Sequence, residues 1–127
     1  MTSINATVDL YGGGGLIAST RDIGVFIHLL FSKQPVRERV FASELLQLQM
    51  LSTMESPDDS DYAKGIGVWE NDHYRLYSHS EFWGTLFCHI PEINTTIAAA
   101  VTDQRGKNRM HEIRNQLVKA MTSRLID

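Results

Sequence analysis

The chain has 127 residues, of which 43% are hydrophobic, and this size fits one compact domain over residues 1–127. Twelve basic and fifteen acidic residues give a net charge of −3, which argues against nucleic acid as a partner because phosphate binding requires positive charge. No apolar run reaches the ~20 residues of a membrane-spanning helix, and residues 1–5 lack the basic and apolar regions of an export signal. The sequence therefore predicts no membrane span and no signal peptide, and it leaves the compartment open.

The first half of the chain predicts helices. Ser19 and Asp22 have the spacing of a capping box, and apolar residues then recur at helical intervals, which predicts a helix over about 20–32. Pro35 ends this helix, and an apolar stripe between residues 41 and 51 predicts a second one.

The second half predicts strands followed by one helix. Strands are expected at 65–69, 74–80, 85–90 and 95–102, and an apolar stripe of period 3.6 predicts a helix over about 108–125. The last two strands are apolar or small on both alternating sets, as in a sheet that is covered on both faces. The predicted class is α+β: an antiparallel sheet of three or four hairpin-linked strands, with the carboxy-terminal helix on one face and two helices near the edge.

Two stretches of the sequence partly match motifs that bind a phosphate or a metal ion, and both matches are incomplete. The glycine run 12–15 is followed by Leu16 rather than by the Lys-Ser or Lys-Thr of a phosphate-binding loop. His111 and Glu112 match the first half of a zinc-protease helix, but Asn115 stands where the second imidazole ligand is needed. The sequence therefore predicts no metal and no other cofactor.

The remaining polar candidates lie on predicted strands. Cys88 is the only cysteine, and its apolar surroundings predict a buried structural thiol. Neighbours on a strand point to opposite faces, so Cys88 and His89 cannot form a nucleophile–base pair, although His89 could pair with a remote residue. By the same rule, His79 and Ser80 place a base and a hydroxyl on opposite faces of the sheet, at its lip. These residues belong either to a functional site or to an exposed polar edge strand.

Four segments, considered together, favour the interpretation of His79 and Ser80 as part of a functional site. They are 11–22 (YGGGGLIASTRD), 65–67 (GIG), 77–84 (YSHSEFWG) and 97–104 (IAAAVTDQ). Together they resemble the carboxy-terminal portion of the serine beta-lactamase family, in particular its class C and penicillin-binding-protein-like branch, and the resemblance extends from about Asp9 to the end.

The resemblance implies roles for three residues around the third family motif, in which a strand carries Lys or His, then Ser or Thr, then Gly. His79 would supply positive or hydrogen-bonding character near the substrate carboxylate, and Ser80 would donate a hydrogen bond to it. The backbone N–H of Phe82 would form half of an oxyanion hole, which stabilises charge developing in the transition state.

Two departures from the family pattern oppose catalysis. Glu81 stands where the motif has glycine, and it should share a face with His79, which sets an anion near a developing oxyanion. The family nucleophile lies in a Ser-x-x-Lys motif, and this sequence contains none.

The leading hypothesis is a fragment or degenerate member of a beta-lactamase-like serine hydrolase that is inactive alone, with acyl transfer to serine as parental chemistry and a lactam, amide or ester as substrate. The alternatives are a non-catalytic binding or assembly module and one half of a split hydrolase. Family relatives are often exported to the cell envelope. The fold of the family needs an amino-terminal part, so we expect an open edge at 95–102 that pairs with a second copy or with a missing segment.

Overall fold

A computed structural model describes residues 17–32, 65–81 and 84–125. Helix α1 (Thr20–Phe31) is followed by four strands, β1 (Gly67–Glu70), β2 (Arg75–Ser80), β3 (Thr85–Ile90) and β4 (Thr95–Ala100), and by helix α2 (Lys107–Thr122). Short 3-10 turns occupy Pro91–Ile93, Gln104–Gly106 and Ser123–Leu125. The second helix predicted after Pro35 and the glycine run 12–15 lie outside the described residues.

The strands form one antiparallel sheet in the order β1-β2-β3-β4. Each strand therefore pairs with its neighbour in sequence, as expected where short turns link successive strands. The α+β class and the hairpin-linked sheet predicted from the sequence are confirmed. No helix in the described ranges has the length and apolar content that a bilayer crossing requires.

Helix α1 begins with the predicted capping box. The backbone N–H of Asp22 donates to Ser19 Oγ at 3.1 Å, and the backbone N–H of Ser19 donates to Asp22 Oδ2 at 3.2 Å. These two bonds satisfy donors that a helix start would otherwise leave unpaired. The buried end of the helix lies against the sheet, where Phe31 packs 5.1 Å from the ring of Tyr77.

The two faces of the sheet carry separate apolar clusters. On one face, Ile27, Leu30 and Phe31 of α1 pack with Tyr77. On the other, Cys88 and Ile90 pack with Val118 of α2. This separation follows from strand geometry, because successive side chains of β3 point to opposite sides. The helices therefore cover both faces, as the apolar strand pattern predicts.

Of the apolar stripe that the sequence predicts on the last helix (Met110, Ile113, Leu117, Met121 and Leu125), only Met110 is buried. Met110, Val118 and Thr122 are buried, whereas Ile113 and Leu117 remain 45% and 43% exposed. Thr122 tolerates burial because its hydroxyl donates to the carbonyl of Val118 at 2.8 Å. The buried residues lie four or eight positions apart, so one ridge of the helix contacts the sheet.

The turn between β2 and β3 depends on Gly84. Its backbone has φ +90°, in the region that favours glycine, and its carbonyl accepts from the Val101 N–H at 2.9 Å. A Cβ atom at this position would lie 2.6 Å from Val101 Cγ2. Both the backbone conformation and the close approach of Val101 therefore exclude larger residues.

The comparison of two glycines tests this requirement. Gly65 has a similar φ of +82°, but a Cβ there would meet no atom within 4 Å. We expect Gly65→Ala to lower the free energy of unfolding by about 1 kcal/mol, the left-handed backbone penalty alone. Gly84→Ala adds a steric clash, and we expect a loss of about 2–4 kcal/mol in urea unfolding. Equal losses in the two variants would contradict the packing argument.

Candidate functional site

The carboxyl end of β2 brings His79 and Glu81 together. The distance from His79 Nδ1 to Glu81 Oε1 is 2.9 Å, and the side chains are 23% and 56% exposed. The glutamate therefore lies on the same side as the imidazole, as the sequence predicts. A carboxylate only accepts hydrogen bonds, so this contact requires a proton on Nδ1.

The imidazole of His79 is also held by packing. Its ring is stacked on the ring of Phe87 in β3, with centroids 6.1 Å apart and an interplanar angle of 19°. His79 and Phe87 are cross-strand partners, which explains the overlap of their rings. Stacking on one side and the Glu81 carboxylate at Nδ1 together fix the plane of the ring.

Ser80 lies on the opposite face of the sheet from His79. It pairs with Leu86 in the ladder, whereas His79 pairs with Phe87, and its side chain is exposed. The hydroxyl and the imidazole therefore stand on either side of the lip, as the strand alternation predicts. Phe82, the residue for which the resemblance implies an oxyanion-hole N–H, lies outside the described residues.

Backbone hydrogen bonds anchor the end of β2 next to this pair. The Glu81 N–H donates to the Thr85 carbonyl at 2.8 Å, and the Gly84 N–H donates to the Glu81 carbonyl at 3.1 Å. With both its N–H and its carbonyl bonded, the backbone of Glu81 has one fixed position. The backbone of Glu81 is thus held at a position from which its carboxylate reaches His79.

A second polar cluster, formed by His28, His89 and Thr96, lies between α1 and the sheet. Thr96 Oγ1 lies 2.8 Å from His89 Nδ1 and 3.3 Å from His28 Nδ1. His89 is fully buried, and its Nε2 has no hydrogen-bond partner among the described residues. The sequence suggests that His89 has a remote partner but does not identify Thr96 or His28.

Burial controls the charge of this histidine. Desolvation, followed by the nearby His28, lowers the pKa of His89 from 6.5 to about 4, against a weaker opposing effect of Glu92. His89 is therefore neutral at pH 7, and its ring packs 5.8 Å from Phe31 as part of the apolar surroundings. Its burial prevents His89 from acting as an accessible base, whereas His28 of the same cluster is half-buried.

Cys88 has the opposite orientation to His89 and is inert. It is fully buried in the cluster that includes Val118. Burial raises the pKa of the Cys88 thiol to about 11, so the thiolate is not populated at neutral pH. The prediction of a buried structural thiol is confirmed.

Metal binding finds no support in the part of the chain that the structure describes. Within residues 17–32, 65–81 and 84–125, no group of three or more His, Cys, Asp or Glu side chains is placed to hold an ion. The polar side chains described at the end of β2 are those of His79, Glu81 and Ser80.

Comparison with protein families gives one match. A family model described as Beta-lactamase matches residues 2–121, which is most of the chain. Comparisons with curated proteins and with solved structures found no match. The match confirms the resemblance at the level of the beta-lactamase family.

The buried histidine predicts a pH-dependent stability. The unfolded chain protonates His89 near pH 6.5, whereas the folded chain resists protonation to about pH 4. Above about pH 6.5, His89 is neutral in both states and does not reduce the free energy of unfolding. As the pH falls from about 6.5 toward about 4, protonation of His89 in the unfolded chain lowers this free energy. Between about pH 7.5 and about pH 5, we expect this residue to reduce the free energy of unfolding by about 2 kcal/mol.

Urea unfolding at the two pH values measures this loss. We expect His89→Phe to lose that part of the pH dependence, and His73→Gln, in an exposed turn, to retain it. The same dependence in His89→Phe as in the parent chain would contradict the assignment.

Proposed function

We propose, since the chain belongs to the beta-lactamase family, that it is a degenerate serine hydrolase whose parental chemistry is acyl transfer to serine. The substrate class of that chemistry is a lactam, an amide or an ester. We propose further that the 127-residue chain does not catalyse the reaction by itself. A covalent route through serine requires an activated nucleophile, and the sequence contains no Ser-x-x-Lys motif that would supply one.

The observation that carries the proposal is the contact between His79 and Glu81 at 2.9 Å. In the family motif a glycine follows the Ser or Thr, which leaves the space beside the basic residue for the substrate. Here a carboxylate occupies that position and takes up a hydrogen bond of the imidazole. An anion at this point repels a substrate carboxylate and opposes a developing oxyanion.

The hydroxyls near the pair supply no replacement nucleophile. Ser78 and Ser80 lie on the sheet face opposite His79, since they alternate with it along β2. The imidazole therefore cannot accept a proton from either of them. The sequence contains no Ser-x-x-Lys, so the parental nucleophile is also missing from these 127 residues.

In the proposed ancestral site, His79, Ser80 and Phe82 would form the substrate side. With the substrate at the end of β2, where the two faces meet, His79 would lie near its carboxylate on one side and Ser80 would donate a hydrogen bond to that carboxylate from the other. The Phe82 N–H would contribute to the oxyanion hole. A split hydrolase remains the related alternative, in which a separate piece of polypeptide supplies the serine nucleophile to these residues.

A non-catalytic assembly module is the second candidate function, and the sheet edge favours it. Within the described residues, β4 pairs only with β3. Val101 donates to Gly84 across the ladder, so by alternation the N–H of Ala100 points away from β3. An unpaired strand edge is a template for another strand, and we propose a second copy of the chain as the partner.

Intact-mass spectrometry after incubation with benzylpenicillin tests the loss of catalysis. Without an activated serine, we expect the mass of the full chain to remain unchanged, with no acyl adduct and no hydrolysed penicillin. The control is Ser80→Ala, which should behave identically. An adduct on the parent chain that disappears in Ser80→Ala would identify Ser80 as a nucleophile and overturn the proposal.

Light scattering after size exclusion tests the assembly through β4. We expect the mass of the chain to increase with concentration toward that of a dimer, and Ala100→Pro to weaken this association because proline lacks the N–H. Ala100→Thr is the matched control, since it changes the side chain but keeps the donor. A monomer at every concentration, or equal dimerisation of both variants, would exclude pairing through this edge.

A further inference from the structure

A groove on the α2 face of the sheet is separate from the His79–Glu81 pair. It has a volume of about 440 Å³, and β1, β2 and the turn between them form one wall while α2 forms the other. The groove exists because α2 packs toward β3 and β4, where Val118 contacts Cys88 and Ile90. Its volume is within the range of ~300–1,000 Å³ that is usual for small-ligand sites.

The sheet wall of the groove is aromatic. Trp69 of β1 and Tyr74 of the following turn lie with ring centroids 5.5 Å apart and an interplanar angle of 51°. Trp69 is 44% exposed although it is the largest apolar side chain in this part of the sheet. An exposed tryptophan beside a second ring offers a flat surface on which a planar ligand can stack.

The helix wall of the groove is positive. Arg114 and Lys119 line it, and none of the eight described lining residues is acidic. The ion pairs formed among the described residues involve neither Arg114 nor Lys119. Within the described part of the chain, therefore, no carboxylate pairs with either cation in the groove.

Arg114 also carries a polar atom that needs a partner. Its Nε is buried and makes no hydrogen bond within the described residues. A buried guanidinium N–H without an acceptor is unfavourable, and an anion bound against the Arg114 guanidinium would offset part of this cost through its charge. Ser78 and Asn115, which also line the groove, add neutral hydrogen-bonding groups between the aromatic and the cationic walls.

We propose that this groove binds a small aromatic anion, a ligand that combines a planar ring system with a carboxylate or a sulfonate. The ring system stacks on Trp69 and Tyr74, and the anionic group accepts hydrogen bonds from Arg114 and Lys119. The site lies on the other face of the sheet from His79, so it does not depend on the proposed hydrolase chemistry.

Two dyes of similar shape test the proposal on the full chain. The probe is 8-anilinonaphthalene-1-sulfonate, an aromatic anion, and the comparison is N-phenyl-1-naphthylamine, which has the same rings without the sulfonate. Binding is followed by the increase in dye fluorescence. We expect the sulfonate to bind at least about tenfold more tightly, since a charge-assisted hydrogen bond acts only on the anion.

Variants separate the two walls of the groove. We expect Lys119→Gln to weaken the sulfonate about threefold, the scale of one exposed ion pair, and to leave the neutral dye unchanged. Arg124→Gln removes the same charge outside the groove lining and should change neither affinity. Trp69→Ala should weaken both dyes, because both stack on the aromatic wall. Circular dichroism confirms that each variant is folded.

Equal affinity for the two dyes, or no detectable binding of the sulfonate, would overturn the proposal. Equal effects of Lys119→Gln and Arg124→Gln would also overturn it, because they would show a response to net charge rather than to the groove. A selective loss of sulfonate binding in Lys119→Gln supports it.

Discussion

The double burial of β3 is the constraint on which the rest of the structure depends. Leu86, Cys88 and Ile90 face α2, while Phe87 and His89 face α1, and four of these five side chains are buried. A strand that is covered on both faces joins the two clusters into one folded unit. It also places an imidazole where water cannot reach it, which is possible because Thr96 provides a hydrogen-bond partner.

The same sheet keeps the polar chemistry of its two faces apart. The His79–Glu81 pair lies on the α1 side, at the end of β2. The groove with its aromatic and cationic walls lies on the α2 side, lined by Ser78 of the same strand. A ligand on one face therefore cannot contact both sites, and substitutions in one of them should leave the other unchanged. Alternation along a single strand is enough to produce this separation.

The stability of the fold depends little on the Glu81 carboxylate. Glu81 is 56% exposed, and an ion pair at such a position contributes at most about 1 kcal/mol to stability. The packing around β3 does not involve this carboxylate. Substitution of Glu81 should therefore have little effect on folding, whatever its effect on the chemistry that we propose for this position, because fold and chemistry can diverge independently.

The sequence by itself determined the local elements, including the start of α1 at Ser19 and the antiparallel strands, because capping bonds and period-two patterns act between residues close in the chain. It also placed His79 and Glu81 on one side of β2. Only the tertiary structure decided that Val118, rather than Leu117, is buried. It alone brought His28 to Thr96, beside His89, and left a groove beside α2. These features depend on how helices rotate and settle against the sheet, which is set by packing between distant residues and not by any local pattern.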